Sequence, residues 1–305
     1  GFTGSAGSAL IAAEGVELKD AKGGGVVITD GRYTIQAAQE LDDESWGLCI
    51  TGTGAPSMAG YIAAALGSGS KKVGFDASTL PLHALNDLEK ALGEHQLIPV
   101  PATENILDEV WEKSQGGRPA PPTAPAAVHP EEVAGRSVAD KISVLRADIA
   151  AAGADAYVAS SLDEVNWLLN IRGGDMESTP VAMSFLIVTE KEIRLYIDQS
   201  KVTSSEVKSH LASSLVSVHD YSEVYADVAS LAADGIKFML DPGTTSVATK
   251  QAAGEGAIVK TSPVALPKAV KNTREMAGMS AAHVRDGAHM ARTLCWLESA
   301  GGGGG

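Results

Sequence analysis

Cysteine is scarce in this chain of 305 residues, in which Cys49 and Cys295 are the two examples. Two cysteines so far apart in sequence form no disulfide framework of the kind that small secreted proteins use, and they are typical of a reducing compartment. We therefore expect a cytoplasmic protein. Long apolar runs are missing as well, since none approaches the ~18 residues that a membrane-spanning helix needs. We expect no membrane as a partner.

Basic residues are also few. The sequence has 24 Lys and Arg against 38 Asp and Glu, which gives a formal net charge of −14. Proteins that bind phosphate-rich surfaces do so through clustered Lys and Arg. The charge balance therefore argues against a nucleic acid as a partner.

Both ends of the chain lack the features of a natural terminus. The sequence opens without Met and without a readable targeting segment, and it closes on a run of five glycines, Gly301–Gly305. A glycine run of this kind is typical of a flexible linker. We interpret the chain as an internal piece of a longer protein.

A pattern of apolar runs occurs twice in the chain. In the first copy the runs lead to Asp30 and Asp76, which are 46 positions apart, and in the second to Asp198 and Asp241, which are 43 apart. Each copy opens with two apolar runs split by a polar turn, as in a β-hairpin, and continues with helix-like sequence. The repeat predicts two similar α/β domains in tandem.

A proline-rich segment separates the two copies. Residues 117–130 contain Pro119, Pro121, Pro122 and Pro125, and proline at this density blocks helix and sheet pairing and favours an extended linker. We therefore expect domains at 1–116 and 131–265, joined by a linker at 117–130. Residues 266–305 carry a further helix without a counterpart in the first copy, and we interpret them as the start of a third domain.

Apolar periodicity and capping residues predict the main helices. Two capping boxes are expected, with Ser161 opposite Glu164 and Asn272 opposite Glu275. The second would open the helix of the third segment, which extends to about Glu298. The other predicted helices are Thr34–Leu41, Leu82–Leu92, Val138–Ala152, Asp163–Leu169, Ser205–Leu215 and Glu223–Ala233.

Three groups of residues have a chemical and a structural interpretation, and the structural one is favoured in each. The glycines of Gly1–Gly7 precede a strand rather than a helix, so we expect a tight turn instead of a phosphate loop. Asp30, like Asp198, is expected to cap a helix rather than act as an acid or base. His283, Asp286 and His289 share one helix, but no second ligand cluster supports a metal site there.

The loop Arg172-Gly173-Gly174-Asp175 is the strongest candidate for a site. Two glycines allow a sharp turn that leaves a charged pair on a loop between a helix and a strand. A structural role and a position at the rim of a binding cleft both remain open. We take Arg172 and Asp175 as candidate residues of a substrate-cleft rim.

Six stretches of the sequence resemble the three-domain Xaa-Pro aminopeptidases of the creatinase/prolidase group. They occur in the order found in that family and together cover nearly the whole chain. The stretches are GFTGSAGSALI (1–11), TDGRYTIQAAQEL (29–41), HQLIP (95–99), ILDEVW (106–111), SSLDEVNWLLNIRGGD (160–175) and PKAVKNTREMAGMSAAHVRDGA (267–288).

The resemblance implies an α/β fold class. It implies two tandem creatinase N-terminal-type domains, each a mixed sheet flanked by helices, the first of them truncated at its N-terminus. After them comes the first helix of a truncated pita-bread domain of the peptidase M24 type, at 266–305. One departure follows the Arg172 loop, where the family usually has an Asn-Pro-Val-Phe type sequence and this chain has Ser178-Thr179-Pro180-Val181-Ala182. If that loop borders the cleft, substrate preference would differ from that of relatives.

The resemblance also implies an activity for the complete protein. Family members are metalloaminopeptidases that remove the N-terminal residue from peptides with proline in the second position, and we expect the complete protein to be a homodimer. Their ligands, two Asp, one His and two Glu, hold two Mn²⁺ ions and lie beyond the point where this chain stops. We therefore expect no catalytic and no metal-binding residue in this chain, and no activity from it alone. The alternative is a non-enzymatic protein-interaction module that has lost the metal ligands.

Overall fold

The residues that the structure describes are 2–18, 21–52, 57–69, 71–102, 105–114 and 116–301. In this computed structural model they divide into two units, Gly1–Arg118 and Pro119–Gly305. The strands that contain Ile28 and Ile197 lie in different sheets, as two tandem domains require.

The first unit alternates strands and helices. Its core is built from the buried residues Val26, Ile28, Ile62, Val73 and Leu92 together with their neighbours. The elements are β1 (Ser8–Ile11), β2 (Gly25–Asp30), α1 (Thr34–Glu40), β3 (Trp46–Thr51), α2 (Met58–Leu66), β4 (Lys72–Asp76), α3 (Leu82–Gly93), β5 (Ile98–Ala102) and α4 (Ile106–Lys113).

The strands of the first unit form two small sheets among the described residues. β1 pairs antiparallel with β2, with Ser8 opposite Ile28, and β2 pairs parallel with β3. β4 and β5 pair parallel in a second sheet. The hairpin of β1 and β2 confirms the interpretation of the first two apolar runs.

The second unit has the same alternation with more elements. In chain order they are β6 (Ala127–Val128), α5 (Glu131–Ala134), α6 (Val138–Ala151), β7 (Ala156–Ala159), α7 (Leu162–Leu168), β8 (Ile171–Arg172), β9 (Ser184–Thr189), β10 (Ile193–Ile197), α8 (Ser205–Ser213), β11 (Val216–His219), α9 (Val224–Ala233), β12 (Phe238–Leu240), α10 (Val247–Ala253), β13 (Ile258–Val259), α11 (Ala265–Ala269) and α12 (Thr273–Gly301).

One mixed sheet organises the second unit, with the strand order β11-β10-β9-β7-β12-β13. β9 is antiparallel to both β10 and β7, while β7 and β12 run parallel. The four residues of β7 are all fully buried, because helices cover both faces of the sheet at its centre. The prediction of a mixed α/β sheet flanked by helices is confirmed.

The two units repeat one topology. In each, an antiparallel hairpin is followed by a parallel strand, a helix, and then a parallel strand pair with a helix between its strands. The carboxylates of Asp30 and Asp198 accept the backbone N–H of Arg32 at 3.0 Å and of Ser200 at 2.9 Å. Each aspartate therefore caps a 3-10 turn at the end of its strand, as predicted.

The six predicted helices before residue 266 are confirmed to within two residues at each end, and the elements that were missed are strands and helices in equal number. β3, β6, β7, β8 and β11 were not predicted, nor were α2, α4, α5, α10 and α11, because most of these segments are too short to show a clear period. The expected linker also needs a correction. β6 pairs with β8, and Ala126 is buried and donates its N–H to the Lys201 carbonyl at 2.9 Å. Residues 126–128 therefore pack within the second unit.

One capping box is confirmed and the other is wrong. Asn272 accepts the N–H of Glu275 at 3.0 Å, and the Glu275 carboxylate accepts the N–H of Asn272 at 2.9 Å. At the start of α7, however, Ser161 makes no capping hydrogen bond to the backbone. Glu164 cannot reach back because its side chain is buried and bonded to Tyr157 and Ser262.

Helix α12 continues from this cap for 29 residues, past the predicted end at Glu298. Its large apolar side chains are at least half exposed, including Met276 at 52% and Leu294 at 59%. Among the residues that the structure describes, no helix is long and apolar enough to cross a membrane.

Candidate functional site

The loop that carries Arg172 and Asp175 joins β8 to β9. It folds back on itself through two backbone hydrogen bonds, from Gly173 N–H to the Pro180 carbonyl at 3.3 Å and from Asp175 N–H to the Val181 carbonyl at 3.2 Å. The base of the loop is therefore a closed, hydrogen-bonded turn.

Gly173 is required by a close approach of backbone rather than by an unusual torsion. A Cβ atom built on Gly173 would lie 2.6 Å from the Ala182 nitrogen, whereas one on Gly174 would lie 3.1 Å from the Ala124 side chain. Neither glycine has a positive φ; in this loop Ser178 adopts the left-handed conformation, with φ of 59°. The expectation that two glycines make the turn is therefore corrected to one glycine that permits tight packing.

Asn166 holds the other side of the loop base. Its side-chain amide donates to the Ala182 carbonyl at 3.0 Å and accepts the Ala182 N–H at 3.0 Å. Asn166 lies on α7 and is 1% exposed. This residue stands within the stretch 160–175 but was not identified as part of a site, because its partner is 16 residues away and no local pattern indicates the contact.

The Asp175 side chain is buried and paired. Its Oδ2 atom lies 2.6 Å from Lys201 Nζ, and the two side chains are 0% and 4% exposed. The same oxygen accepts the Met183 N–H at 2.6 Å. These contacts place Asp175 under the loop, where its carboxylate fixes the loop base instead of lining a solvent-facing rim. The other residues of the loop therefore remain the candidates for the rim of a substrate cleft.

Arg172 is half-buried and lies at the start of the loop. Its Nη1 atom donates to the Ile171 carbonyl at 2.9 Å, and among the described residues no carboxylate is within salt-bridge distance of it. Burial lowers the pKa of the guanidinium, while the nearby charge of Glu275 opposes that shift. The Arg172 charge also contributes, after burial, to the lowered pKa of His129. Arg172 is a cation that retains hydrogen-bonding capacity.

The tip of the loop projects from this fixed base. Residues 176–180 are all exposed, and Met176 is 50% exposed. The tip contains the sequence departure at Ser178-Thr179-Pro180. A rigid base with an exposed tip is the arrangement that can present a short segment to another surface.

Lys141 forms a second buried cationic site in the same unit. Its ammonium donates to the Trp167 carbonyl and to Asn170 Oδ1, each at 2.7 Å, and lies 4.2 Å from the centre of the Trp167 ring. Burial lowers the pKa of Lys141 to about 8. The Asn170 residue that accepts this hydrogen bond has a positive φ of 50°, so Lys141 fixes an unusual backbone conformation two residues before Arg172.

A buried polar cluster lies between β7, α7 and the segment after β13. Glu164 accepts hydrogen bonds from the hydroxyls of Tyr157 at 3.0 Å and Ser262 at 2.6 Å. Burial raises the pKa of Glu164, and burial together with the Glu164 carboxylate raises the pKa of Tyr157. Tyr157, Glu164 and Ser262 are all hydrogen-bonded within the cluster. We therefore interpret the cluster as a structural link between these elements of the second unit.

The remaining candidates have structural environments. A Cβ atom on Gly4 or Gly7 would meet the Phe2 ring at 2.2 Å and 3.0 Å, which fits the expected tight turn, although Gly1 lies outside the described residues. His283, Asp286 and His289 are exposed on α12. Within the described ranges, no group of three or more His, Cys, Asp or Glu side chains could hold a metal ion.

A test of the loop base is the substitution Gly173→Ala. The new methyl group would overlap the Ala182 backbone, so we expect a loss of about 1–3 kcal/mol in the free energy of unfolding, measured by urea denaturation. Gly174→Ala is the matched control, since its methyl group needs a shift of only a few tenths of an ångström. Equal stability of the two variants would contradict the close approach at Gly173.

Comparison with known proteins gives consistent matches over most of the chain. Two models described as the creatinase/prolidase N-terminal domain match residues 1–110 and 117–275. The chain is 35% identical over 309 residues to a probable Xaa-Pro aminopeptidase P of Aspergillus flavus, covering 98% of this chain and 45% of that protein. It is 35% identical over 331 residues to aminopeptidase P2 of Arabidopsis thaliana, covering 98% and 44%.

A solved structure matches as well. The X-prolyl aminopeptidase of Caenorhabditis elegans, described as a cytosolic enzyme with a di-nuclear active site, has a TM-score of 0.83 at 35% identity. The match covers 92% of this chain and 45% of that one. The chain therefore spans less than half the length of these relatives. The resemblance and the fold class drawn from the sequence are confirmed.

Proposed function

The chain belongs to the creatinase/prolidase N-terminal domain family, and on that premise we propose that it is the non-catalytic N-terminal portion of a metalloaminopeptidase. The complete enzyme would remove the N-terminal residue from Xaa-Pro peptides. The observation that carries the proposal is the match to Xaa-Pro aminopeptidases over 98% of this chain but 45% of the relative. We propose a cytosolic location and a homodimer for the complete protein.

The proposed enzyme needs a pair of metal ions. The described residues contain no convergent set of carboxylate and imidazole ligands, so they do not fit a dinuclear centre. We assign two Mn²⁺ ions to residues outside this chain. We expect the isolated chain to bind no Mn²⁺ tightly and to hydrolyse no Xaa-Pro peptide, which calorimetry and a peptidase assay would test.

The domain boundaries follow the same proposal. We assign 1–116 and 131–265 to the two creatinase N-terminal-type domains and 266–305 to the start of the catalytic domain. The exposed apolar face of α12 supports the last assignment, because an exposed amphipathic helix normally buries that face against further protein. The linker is taken as 117–130, with its final residues packed on the second domain.

We propose that the loop after β8 borders the substrate cleft of the complete enzyme. Arg172 has no carboxylate partner among the described residues, and Asp175 and Asn166 fix the base beneath the exposed tip. A guanidinium in that position would orient the peptide or the neighbouring domain through charge-assisted hydrogen bonds, worth roughly 1.5–3 kcal/mol each when shielded from water.

The test is Arg172→Ala in the full-length protein. We expect kcat/KM for Xaa-Pro peptides to fall about tenfold or more, since each 1.4 kcal/mol is a factor of ten, while the melting temperature changes little. Arg194→Ala, on β10 of the same unit, is the control for loss of a guanidinium. A variant that melts early but retains full kcat/KM would assign Arg172 to the scaffold.

The alternative function is a non-enzymatic interaction module with the same architecture. It would have the loop and the two domains but would lack the metal ligands downstream. Sequencing beyond Gly305 in the complete protein separates the two, because the set of two Asp, one His and two Glu is either present or absent.

A further inference from the structure

Helix α7 carries two polar side chains that are almost completely buried. Glu164 is 5% exposed and Asn166 is 1% exposed, and they lie two residues apart in a helix of seven residues. Taking a carboxylate out of water is costly, and an apolar side chain in the same place would avoid that cost. The stability of the fold therefore does not by itself explain a glutamate at position 164.

Glu164 binds the segment that follows β13, residues 262–268. Its Oε1 atom accepts the Ser262 hydroxyl at 2.6 Å. The preceding residue of α7 makes a second contact with the same segment, since Asp163 Oδ2 lies 2.5 Å from Lys268 Nζ. This segment leads through α11 to α12, the helix that we assign to the start of the catalytic domain. Two carboxylates of α7 therefore hold the part of the chain that enters that domain.

The same helix also contacts the base of the Arg172 loop. The Asn166 amide makes two hydrogen bonds with the Ala182 backbone, both at 3.0 Å. The second carboxylate oxygen of Glu164 accepts the Tyr157 hydroxyl of β7 at 3.0 Å, which anchors α7 to the sheet. One short helix therefore makes hydrogen bonds to the loop base, to the sheet and to the segment after β13.

We propose that Glu164 is a positioning residue of the complete enzyme, which acts through α7 to hold the Arg172 loop in a fixed place relative to residues 262–268. The inference rests on the proposed function, in which this loop borders the substrate cleft. Hydrogen bonds are directional whereas apolar contacts are not, so the two bonds to the Glu164 carboxylate fix the orientation of α7. A displacement of about 1 Å in a group that orients a substrate can slow an enzyme about 100-fold, which is the reason that such a support matters.

The first test is Glu164→Leu in the full-length protein. This variant leaves the Tyr157 and Ser262 hydroxyls with each other as partners, 3.0 Å apart. We expect kcat/KM for Xaa-Pro peptides to fall about tenfold, because the guanidinium of Arg172 is displaced from the peptide. In an Arg172→Ala background the same substitution should have little further effect, since the effects of residues that act through one another are not additive.

Further variants control this measurement. Glu164→Gln should retain most of the activity, because its amide oxygen can accept the Ser262 hydroxyl while its amide N–H donates to the Tyr157 oxygen. Glu206→Leu removes an exposed carboxylate from α8 of the same unit and should leave kcat/KM unchanged. If Glu164→Leu does not fold, Ser262→Ala decides in its place, since it removes only one of the two hydroxyl donors to the carboxylate.

The second test needs no peptidase activity and uses the 305-residue chain. Amide hydrogen exchange is followed at Gly173 and Asp175, whose N–H groups donate to the Pro180 and Val181 carbonyls. We expect exchange at both amides to be about tenfold faster in Glu164→Leu than in Glu164→Gln, because the loop base opens more often when α7 loses its anchors. Unchanged exchange in β10 shows that the second unit as a whole remains equally stable.

Three results would overturn the inference. Glu164→Leu could lower kcat/KM by the same factor with and without Arg172, melt early while retaining full kcat/KM, or leave exchange at Gly173 and Asp175 unchanged. Each of these would assign Glu164 to the scaffold alone. A full-length wild type that hydrolyses no Xaa-Pro peptide would instead overturn the proposed function, and the positioning role with it, before any variant is compared.

Discussion

Replacement of Lys201 with alanine is expected to lower the free energy of unfolding by about 3–5 kcal/mol, the usual result of breaking a buried ion pair. The Lys201 ammonium and the Asp175 carboxylate lie 2.6 Å apart and are nearly inaccessible to water. Without Lys201, Asp175 Oδ2 keeps the Met183 N–H as its donor. Asp175 Oδ1 is buried and has no partner among the described residues, so the remaining charge would be poorly compensated.

The measurement is urea unfolding of the full chain, with hydrogen exchange in β9 and β10 reporting the second unit. The matched control is the double variant Lys201→Met with Asp175→Leu, which removes both charges and replaces them with apolar side chains of similar volume. The double variant should be more stable than Lys201→Ala, because no buried charge is left unpaired. A loss below about 1 kcal/mol in Lys201→Ala would show that water reaches the carboxylate and that the pair does not fix the loop base.

This pair also shows why the candidate site was only partly predictable. Asp175 was identified from its loop, but Lys201 is 26 residues away and follows the Asp198 cap, in a segment with no chemical pattern of its own. The sequence placed both Arg172 and Asp175 on a loop that follows a helix. It could not distinguish a carboxylate that faces solvent from one that is buried, since burial depends on contacts distant in the chain.

The fold was predictable where local signals are strong. The hairpins β1–β2 and β9–β10 and the aspartate caps follow from apolar runs, polar turns and capping residues close in sequence. β7 was missed although it is one of the two central strands of its sheet. Its four residues are a short run buried on both faces, and such a run lacks the alternation that identifies a half-buried strand.

The two predicted capping boxes lead to the same conclusion, although one of them forms and the other does not. Ser161 and Glu164 have the spacing of a cap, yet the Tyr157 and Ser262 hydroxyls hold the glutamate in the interior. Asn272 and Glu275 have the same spacing and form the box, because Glu275 has no competing buried partner among the described hydrogen bonds. A local motif therefore predicts a cap only when tertiary contacts leave its side chains available.

The second large effect concerns pH and Lys141. Burial lowers its pKa from the ordinary value of 10.5 to about 8, so between these values the unfolded chain binds more protons than the folded one. The contribution of Lys141 to the free energy of unfolding must then rise with pH, since stability increases wherever the unfolded state holds the extra proton. Between pH 7 and pH 10 we expect that contribution to increase by roughly 2–3 kcal/mol.

Other groups titrate in the same range, so the effect is measured as a difference between wild type and Lys141→Met. The loss of the hydrogen bonds to the Trp167 carbonyl and Asn170 Oδ1 is a cost for the variant that does not itself depend on pH. The stability of wild type relative to Lys141→Met should therefore rise steadily from pH 7 to pH 10. Lys260→Met, at an exposed position of the same unit, is the control for loss of a lysine.

The direction of the change decides between two accounts of the Lys141 site. If burial dominates, wild type gains on the variant as the ammonium is neutralised above pH 8. If the two carbonyl acceptors and the Trp167 ring stabilise the charged form more than burial opposes it, the folded pKa lies above 10.5, and wild type then shows no gain on the variant up to pH 10 and loses stability relative to it only at higher pH. That outcome would mean that the cation itself, rather than the neutral amine, holds Asn170 in its positive-φ conformation beside the Arg172 loop.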